Sequence, residues 1–537
     1  MLLTAALAVP VGALSGGAAW CLLRLIGLVT NLVFYQRWAV ELIAPGAQHH
    51  PWWLVLGAPV CGGLVVGMMA RFGSEKIRGH GMPEAIEAIL TRGSRVDPKV
   101  AVLKPVSAAI SIGTGGPFGA EGPIIMTGGA IGSILAQYLH LTADERKILL
   151  VSGAAGGMAA TFNAPLASIL LAVELLLFEW RPRSLVPVTA AVAVATVARQ
   201  FILGAAPVFP VDAHITGIPW SIDILALVIG MCGAVVAIAA TRLVYAAEDA
   251  FARLPIHWMW WPAIGGVVIG AGGLVQPRAL GVGYDVINAL LTGHATVSLM
   301  VGILIVKTTI WSLSLGSGTS GGVLAPVFMI GSALGALVGQ YFPTVFPGFW
   351  AILGLAAVVG GVLRSPLTGI VFTLELTHAW PTIFPLILAS VTAYAASVLL
   401  LDRSILTEKI ARRGLHLTSD YTTDPLATFF VADVMRPEPS HMTAGGTVGP
   451  RDTLRHAANV FARSGGLPLR VVAPDGTEEG HLLLQDILPA WLHDLNEATD
   501  RSRYLNTFVG RQVRRGASRL AAKVDDATPQ PRDQVEA

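Results

Sequence analysis

Two stretches of this sequence are near copies of each other, 203 positions apart, and each interrupts an apolar run with glycine and proline. Gly119, Pro123, Met126, Gly128, Ala130 and Gly132 recur as Gly322, Pro326, Met329, Gly331, Ala333 and Gly335, and upstream Lys104, Gly113 and Gly115 recur as Lys307, Gly316 and Gly318. At an offset of 201, Pro165, Leu166, Ile169 and Glu174 recur as Pro366, Leu367, Ile370 and Glu375. Duplicated, interrupted apolar segments in corresponding places point to a transport site where two repeats meet. The chain therefore reads as two related halves, about 1–205 and 206–415.

Composition sets the solvent. With 53% hydrophobic and 13% charged residues among 537, and a mean hydropathy of +0.64, the chain is too apolar for a soluble protein. Segments of roughly bilayer-crossing length, 17–25 residues, run at about 2–29, 52–70, 184–204, 220–245, 258–275, 298–315 and 381–401. Shorter or glycine-broken runs lie near 99–113, 121–138, 147–160, 164–178, 282–292, 322–341, 349–363 and 366–378. The fold class is thus an all-α polytopic membrane protein with repeats. Irregular backbone at membrane depth survives only when buried in protein or lining an aqueous cavity. The breaks at 113–119, 161–165, 316–322 and 364–366 are predicted to converge on the site.

A net charge of +2 gives no reason to expect a nucleic-acid partner. Cys21, Cys61 and Cys232 match no disulfide or zinc spacing. Leu2 to Val29 follows no basic n-region and reads as a retained first span. Basic flanks at Arg71, Lys76, Arg78, Arg92, Arg95 and Lys99, at Arg181 and Arg183, and at Arg403, Lys409, Arg412 and Arg413 are assigned to the cytoplasm. That places the C-terminal region there too.

Glu121 is the first functional candidate. It sits among glycines before an apolar run, where a charge is expensive unless it faces water, protein or an ion path. The glycines and Pro123 suit a helix start that approaches a ligand closely. Its N–H groups and positive dipole end favour an anion, so a carboxylate there can occupy an anion site and leave it when protonated. The competing readings are a pair with Lys104 or a cap on its own helix.

Three strings now carry a resemblance. Gly79-His80-Gly81-Met82-Pro83, Gly119-Ala120-Glu121-Gly122-Pro123 and Gly322-Val323-Leu324-Ala325-Pro326 resemble, in order and spacing, the anion-site signatures of the CLC family of chloride channels and proton-coupled chloride transporters. The resemblance covers roughly residues 1–415. It implies a homodimer of inverted-repeat subunits surrounded by membrane lipid, in the plasma (cell inner) membrane, each subunit with its own path for chloride or a similar monovalent anion, and possible proton exchange. No cofactor and no enzyme chemistry are implied.

Glu121 matches the family's gating glutamate. Gly79, His80, Gly81, Gly119, Ala120, Gly122, Gly322, Val323, Leu324 and Leu406 fall on anion-binding positions, with Val323 and Leu324 offering backbone N–H groups. His80 stands where the family has a serine; it either contacts the anion or points to the cytoplasmic vestibule. Leu406 stands at the family's tyrosine. In proton-coupled members the 162–174 segment ends in two adjacent glutamates, and here the pair reads Glu174-Leu175. Glu179, one turn on if the helix continues, is the substitute considered. Glu174 and Glu375 read as helix-end carboxylates before proton carriers. These departures favour a voltage- or pH-gated, channel-like or weakly coupled transporter, with a strict chloride/proton antiporter as the alternative. A remote reading, an intramembrane serine protease, rests on Gly318-Thr319-Ser320-Gly321 with His294 or His378.

A linker over 416–430 leads to 431–495, a small α+β module resembling a single CBS motif. Its expected order is strand, helix, hairpin, helix, with a helix over Leu454 to Ala462 and strands at Leu467 to Val472 and His481 to Leu484 about the turn Pro474-Asp475-Gly476. Asp486 matches the ribose-binding aspartate of adenine-nucleotide sites, but the hydroxyl expected at position 483 is Leu483, which favours an assembly role. Residues 496–537 read as a disordered tail.

Overall fold

A computed structural model describes residues 1–91, 93–213, 218–412, 426, 430–437, 445–473 and 475–488. The expectations at Arg92, Arg413 and Pro474, most of the 416–430 linker and the 496–537 tail lie outside them. The described residues fall into two units, one within Met1–Ser419 and one within Asp420–Ala537.

The first unit is helical. In chain order its helices are α1 (Leu2–Phe34), α2 (Trp52–Phe72), α3 (Met82–Thr91), α4 (Pro98–Gly113), α5 (Glu121–Tyr138), α6 (Ala143–Phe162), α7 (Pro165–Leu171, continued by a π-turn over Ala172–Leu177) and α8 (Pro182–Ile202). There follow α9 (Trp220–Ala252), α10 (Trp261–Val275), α11 (Tyr284–Leu291), α12 (Val297–Gly302, joined by a π segment Ile303–Lys307 to α13, Thr308–Gly316), α14 (Leu324–Gly339), α15 (Phe349–Leu363), α16 (Pro366–Thr377), α17 (Ile383–Leu400) and α18 (Thr407–Arg412). Seven helical stretches among the described residues are long and apolar enough to cross a membrane, and they coincide with the seven long runs read from the sequence. This is a multi-pass membrane protein.

Local chemistry fixes the short elements. Asn163 and Arg364 end α6 and α15 in the left-handed conformation, φ 55° and 58°, and the prolines Pro165 and Pro366 then start α7 and α16. Helix α6 opens on a capping box of Thr142 and Glu145.

The duplication extends to packing. Helix α5 lies on α6 through Gly128 and Gly153, where a Cβ on Gly153 would overlap the Gly128 carbonyl. Helix α14 lies on α15 through Gly331 and Gly354 in the same way. Small residues let helix backbones approach where lipid supplies no hydrophobic drive between them. Where the two copied loops meet, at Gly119 and Gly322, their backbones run antiparallel.

Among the described residues the second unit is a three-stranded sheet with one α-helix. Strands β1 (Gly446–Val448), β2 (Leu469–Val472) and β3 (Glu478–Leu482) lie in that order, β1 parallel and β3 antiparallel to β2, with α19 (Leu454–Arg463) between β1 and β2. Val448, Leu454, Phe461, Leu469, Val471, Leu482 and Ile487 form its core. The order strand, helix, hairpin is the one expected, and where the last helix is expected the described residues show a single 3-10 turn over Leu484–Ile487.

Candidate functional site

The two copied loops meet each other. Gly119 and Gly322 form an isolated antiparallel bridge, Gly119 N–H donating to the Gly322 carbonyl at 3.3 Å and Gly322 N–H to the Gly119 carbonyl at 2.8 Å. The bridge brings the N-termini of α5 and α14 together deep in the protein. Each of the ten residues from Phe118 to Thr127 is buried, as is each from Gly321 to Ile330.

Glu121 is fully buried between these ends. Its Oε1 accepts the Ala325 N–H at 3.1 Å, in the first turn of α14. Among the described residues Oε2 has no hydrogen-bond partner. A Cβ on Gly119 or Gly322 would overlap that carboxylate, so both glycines are what allows it to sit there. Glu121 therefore makes no side-chain cap on its own helix, and its hydrogen bond is with the opposite repeat.

The pairing with Lys104 is not formed. Lys104 is buried and donates instead to the carbonyls of Ile77 at 2.8 Å and Gly79 at 2.7 Å. Its copy Lys307 donates to Ala279 at 2.9 Å and Gly281 at 2.7 Å. Each lysine so ties down a Gly-x-Gly turn, Gly79-His80-Gly81 in one half and Gly281-Val282-Gly283 in the other, with φ between 67° and 89° at all four glycines. The second turn repeats the first at an offset of 202, a signal the sequence reading passed over.

His80 is buried, and its carbonyl abuts the Cα of Gly122. Gly81 N–H donates to Oε2 of Glu84 at 3.1 Å, and Oε1 of Glu84 pairs with Lys409 at 3.1 Å. A cavity of about 390 Å³ opens beside them, lined by Glu75, Arg78, Glu84, Glu87, Glu248 and Lys409 among others. Neither Glu84 nor Lys409 was singled out from the sequence. Leu406 is buried at the start of α18, and the neighbouring Ile405 carbonyl accepts the Tyr245 hydroxyl at 2.5 Å.

The two matched carboxylates of the second repeat pair exchange partners. Glu174 Oε2 accepts the Thr368 N–H at 3.0 Å and its hydroxyl at 2.5 Å, at the start of α16. Glu375 accepts the N–H groups of Leu166 at 3.0 Å and Ala167 at 2.8 Å, at the start of α7. Each helix start is capped by a carboxylate of the other half, a favourable use of the dipole.

Glu179 does not share a face with Leu175. The π-turn ends at Leu177, Phe178 turns left-handed at φ 55°, and Glu179 lies beyond the helix, accepting from Ser184 Oγ at 2.6 Å and 3.6 Å from Arg181. The serine dyad is absent as well. Ser320 Oγ accepts the Ser107 hydroxyl at 3.1 Å, while His294 contacts Thr292 and His378 is exposed at the end of α16.

The sequence of residues 61–398 matches the family described as Voltage gated chloride channel. The chain belongs to that family. Relatives of this chloride channel family include the H(+)/Cl(-) exchange transporter ClcA of Cronobacter sakazakii, 32% identical over 68% of this chain and 81% of its own length. A ClcB-like chloride channel protein of Ralstonia nicotianae is 28% identical over 68% of this chain and 88% of its own. The crystal structure of a slow cyanobacterial Cl−/H+ antiporter shares the fold with a TM-score of 0.66 at 22% identity, covering 76% of this chain and 97% of that one. A CLC-type fluoride/proton antiporter gives 0.63 at 19%, covering 73% and 95%.

In this chloride channel family member the C-terminal unit holds its aspartate in a structural pair. Asp486 accepts from Arg436 Nη2 at 2.8 Å and Nε at 3.2 Å, and from the Leu483 N–H at 3.0 Å. Both carboxylate oxygens are engaged within the unit.

Proposed function

We propose that this chain moves chloride across a membrane in exchange for protons, with Glu121 as the gate. The observation that carries this reading is the Glu121 carboxylate on the Ala325 N–H of α14 in the opposite repeat. Two converging helix starts make a site for one monovalent anion, built from backbone N–H groups including those near Val323 and Leu324. A bound carboxylate and a free anion compete for it. Protonation removes the carboxylate's charge and most of its attraction to the dipole ends, so the anion enters as the proton is taken up. Exchange follows when the two events share one seat.

The names of relatives at 31–32% identity, H(+)/Cl(-) exchange transporter, support exchange over passive conduction. A channel-like or weakly coupled mode is the second reading, favoured by Leu175, which puts a buried alkyl side chain beside Glu174. Homodimer formation and a plasma-membrane location complete the proposal by the family resemblance, and a cytoplasmic C-terminal module is supported by the basic flanks of the helices.

The test is flux from liposomes holding the purified protein, with chloride and pH recorded together. Proton uptake should track chloride release and run uphill, and Glu121→Gln should pass chloride without protons. Wild-type chloride flux without proton movement favours the channel reading. An E121Q protein with the wild-type pH response removes Glu121 from the gate.

A further inference from the structure

The second-half counterpart of the His80 turn is followed by α11, which begins with Tyr284 directly after Gly283. This turn is held by Lys307 as the Gly79-His80-Gly81 turn is held by Lys104. The Tyr284 ring is fixed by edge contacts, its centroid 5.7 Å from Phe209 and 6.4 Å from Phe162. Phe162 in turn packs at 6.0 Å on Phe328 of α14, one turn beyond the residues that hold Glu121.

Among the described residues the buried Tyr284 hydroxyl has no hydrogen-bond partner, and neither has Oε2 of Glu121. A buried donor left unpaired is costly, and such groups in folded proteins call for an acceptor. The hydroxyl and the carboxylate feel each other electrostatically, as do the hydroxyl and Arg199 of α8. The other charged groups around them are Lys307, which acts on Glu121 and donates to two carbonyls, and Asp285, which follows Tyr284 on α11. A cavity of about 60 Å³ beside Gly281, Gly283 and Tyr284 gives space next to the phenol.

The geometry points to Tyr284 as the positioning residue that receives the Glu121 carboxylate when it leaves the α14 N-terminus, its hydroxyl donating the hydrogen bond that the displaced carboxylate accepts. The phenol stays protonated throughout and only donates. It thereby supplies a second resting place on the side where Arg199 adds positive charge. This inference rests on Glu121 being the gate of an anion path, and it names the group that holds the gate open.

The test is Tyr284→Phe, which keeps the ring contacts and removes only the donor. Chloride flux from liposomes is measured across external pH, in the wild-type background and with Glu121→Ala, which has no carboxylate to receive. The expected result is flux lower by roughly tenfold near neutral pH, the effect of one hydrogen bond to a charged group. The loss should shrink at acid pH, where protonation itself releases the carboxylate. In E121A the second substitution should change flux by less than about twofold, because the one interaction it removes is with the carboxylate already absent, so the two substitutions are non-additive. Equal loss in both backgrounds, an unchanged pH profile, or no effect in wild type overturns the inference. Failure of the gate reading is separate: it is the case where E121A alone leaves the pH response as it was.

Discussion

Glu174 and Glu375 are copies of one position, yet substitution by glutamine should not cost the same. Glu375 spends one oxygen on each of two backbone donors, Leu166 N–H and Ala167 N–H. A glutamine keeps one acceptor and turns an NH2 toward the other donor. The change loses one charge-assisted bond, about 1.5–3 kcal/mol, and leaves one buried N–H unpaired for a further ~1–3 kcal/mol. The sum is about 2.5–6 kcal/mol. Glu174 takes both of its contacts, the N–H and hydroxyl of Thr368, on the single oxygen Oε2. A glutamine oxygen can occupy that place, so only the charge assistance is lost, roughly 1 kcal/mol. At roughly 2 °C per kcal/mol for a unit of this size, E375Q should lower the apparent Tm by about 5–12 °C and E174Q by about 2 °C. Thermal unfolding of the detergent-purified protein, followed by the monodisperse peak in size-exclusion chromatography, reads both. Proton coupling per folded molecule should persist in each variant. Equal Tm losses would refute the hydrogen-bond accounting, and abolished proton movement in a fully stable E174Q would make that residue a carrier rather than a cap.

Gly354→Val should abolish the folded protein, since its first added carbon meets the Gly331 carbonyl and neither helix has room to retreat; no monodisperse peak is the expected readout. Lys307→Met should leave the Ala279 and Gly281 carbonyls buried without their donor, at about 1–3 kcal/mol each. The same thermal assay checks this, and a variant as stable as wild type would show that the second Gly-x-Gly turn holds without it.

The long helices were legible because apolar run length is set by bilayer thickness and needs no knowledge of partners. The meeting of Gly119 with Gly322 was legible too, through the constant offset. Glu179 was misplaced because a helix was extended through Phe178, where a π-turn and one left-handed residue end it. Lys104 was offered to Glu121 because sequence proximity cannot reveal that two carbonyls of a glycine turn already claim its ammonium. Helix α3, Tyr284, Arg199 and the Glu84–Lys409 pair had no periodic or duplicated signal strong enough to separate them from neighbours. Their significance lies in distances between residues far apart in the chain.

The duplication also sets a limit on sidedness. A scaffold whose halves are inverted copies presents nearly the same backbone to both faces of the membrane, and by itself would treat inward and outward traffic alike. At the offset of 203, the partner of Glu121 is Leu324. One half carries an ionisable side chain at the junction and the other carries an alkyl group. With Glu121 as the proposed gate, that mismatch gives pH a handle in one half that the other half lacks at the same place, and a molecule built on a repeated plan acquires a front and a back.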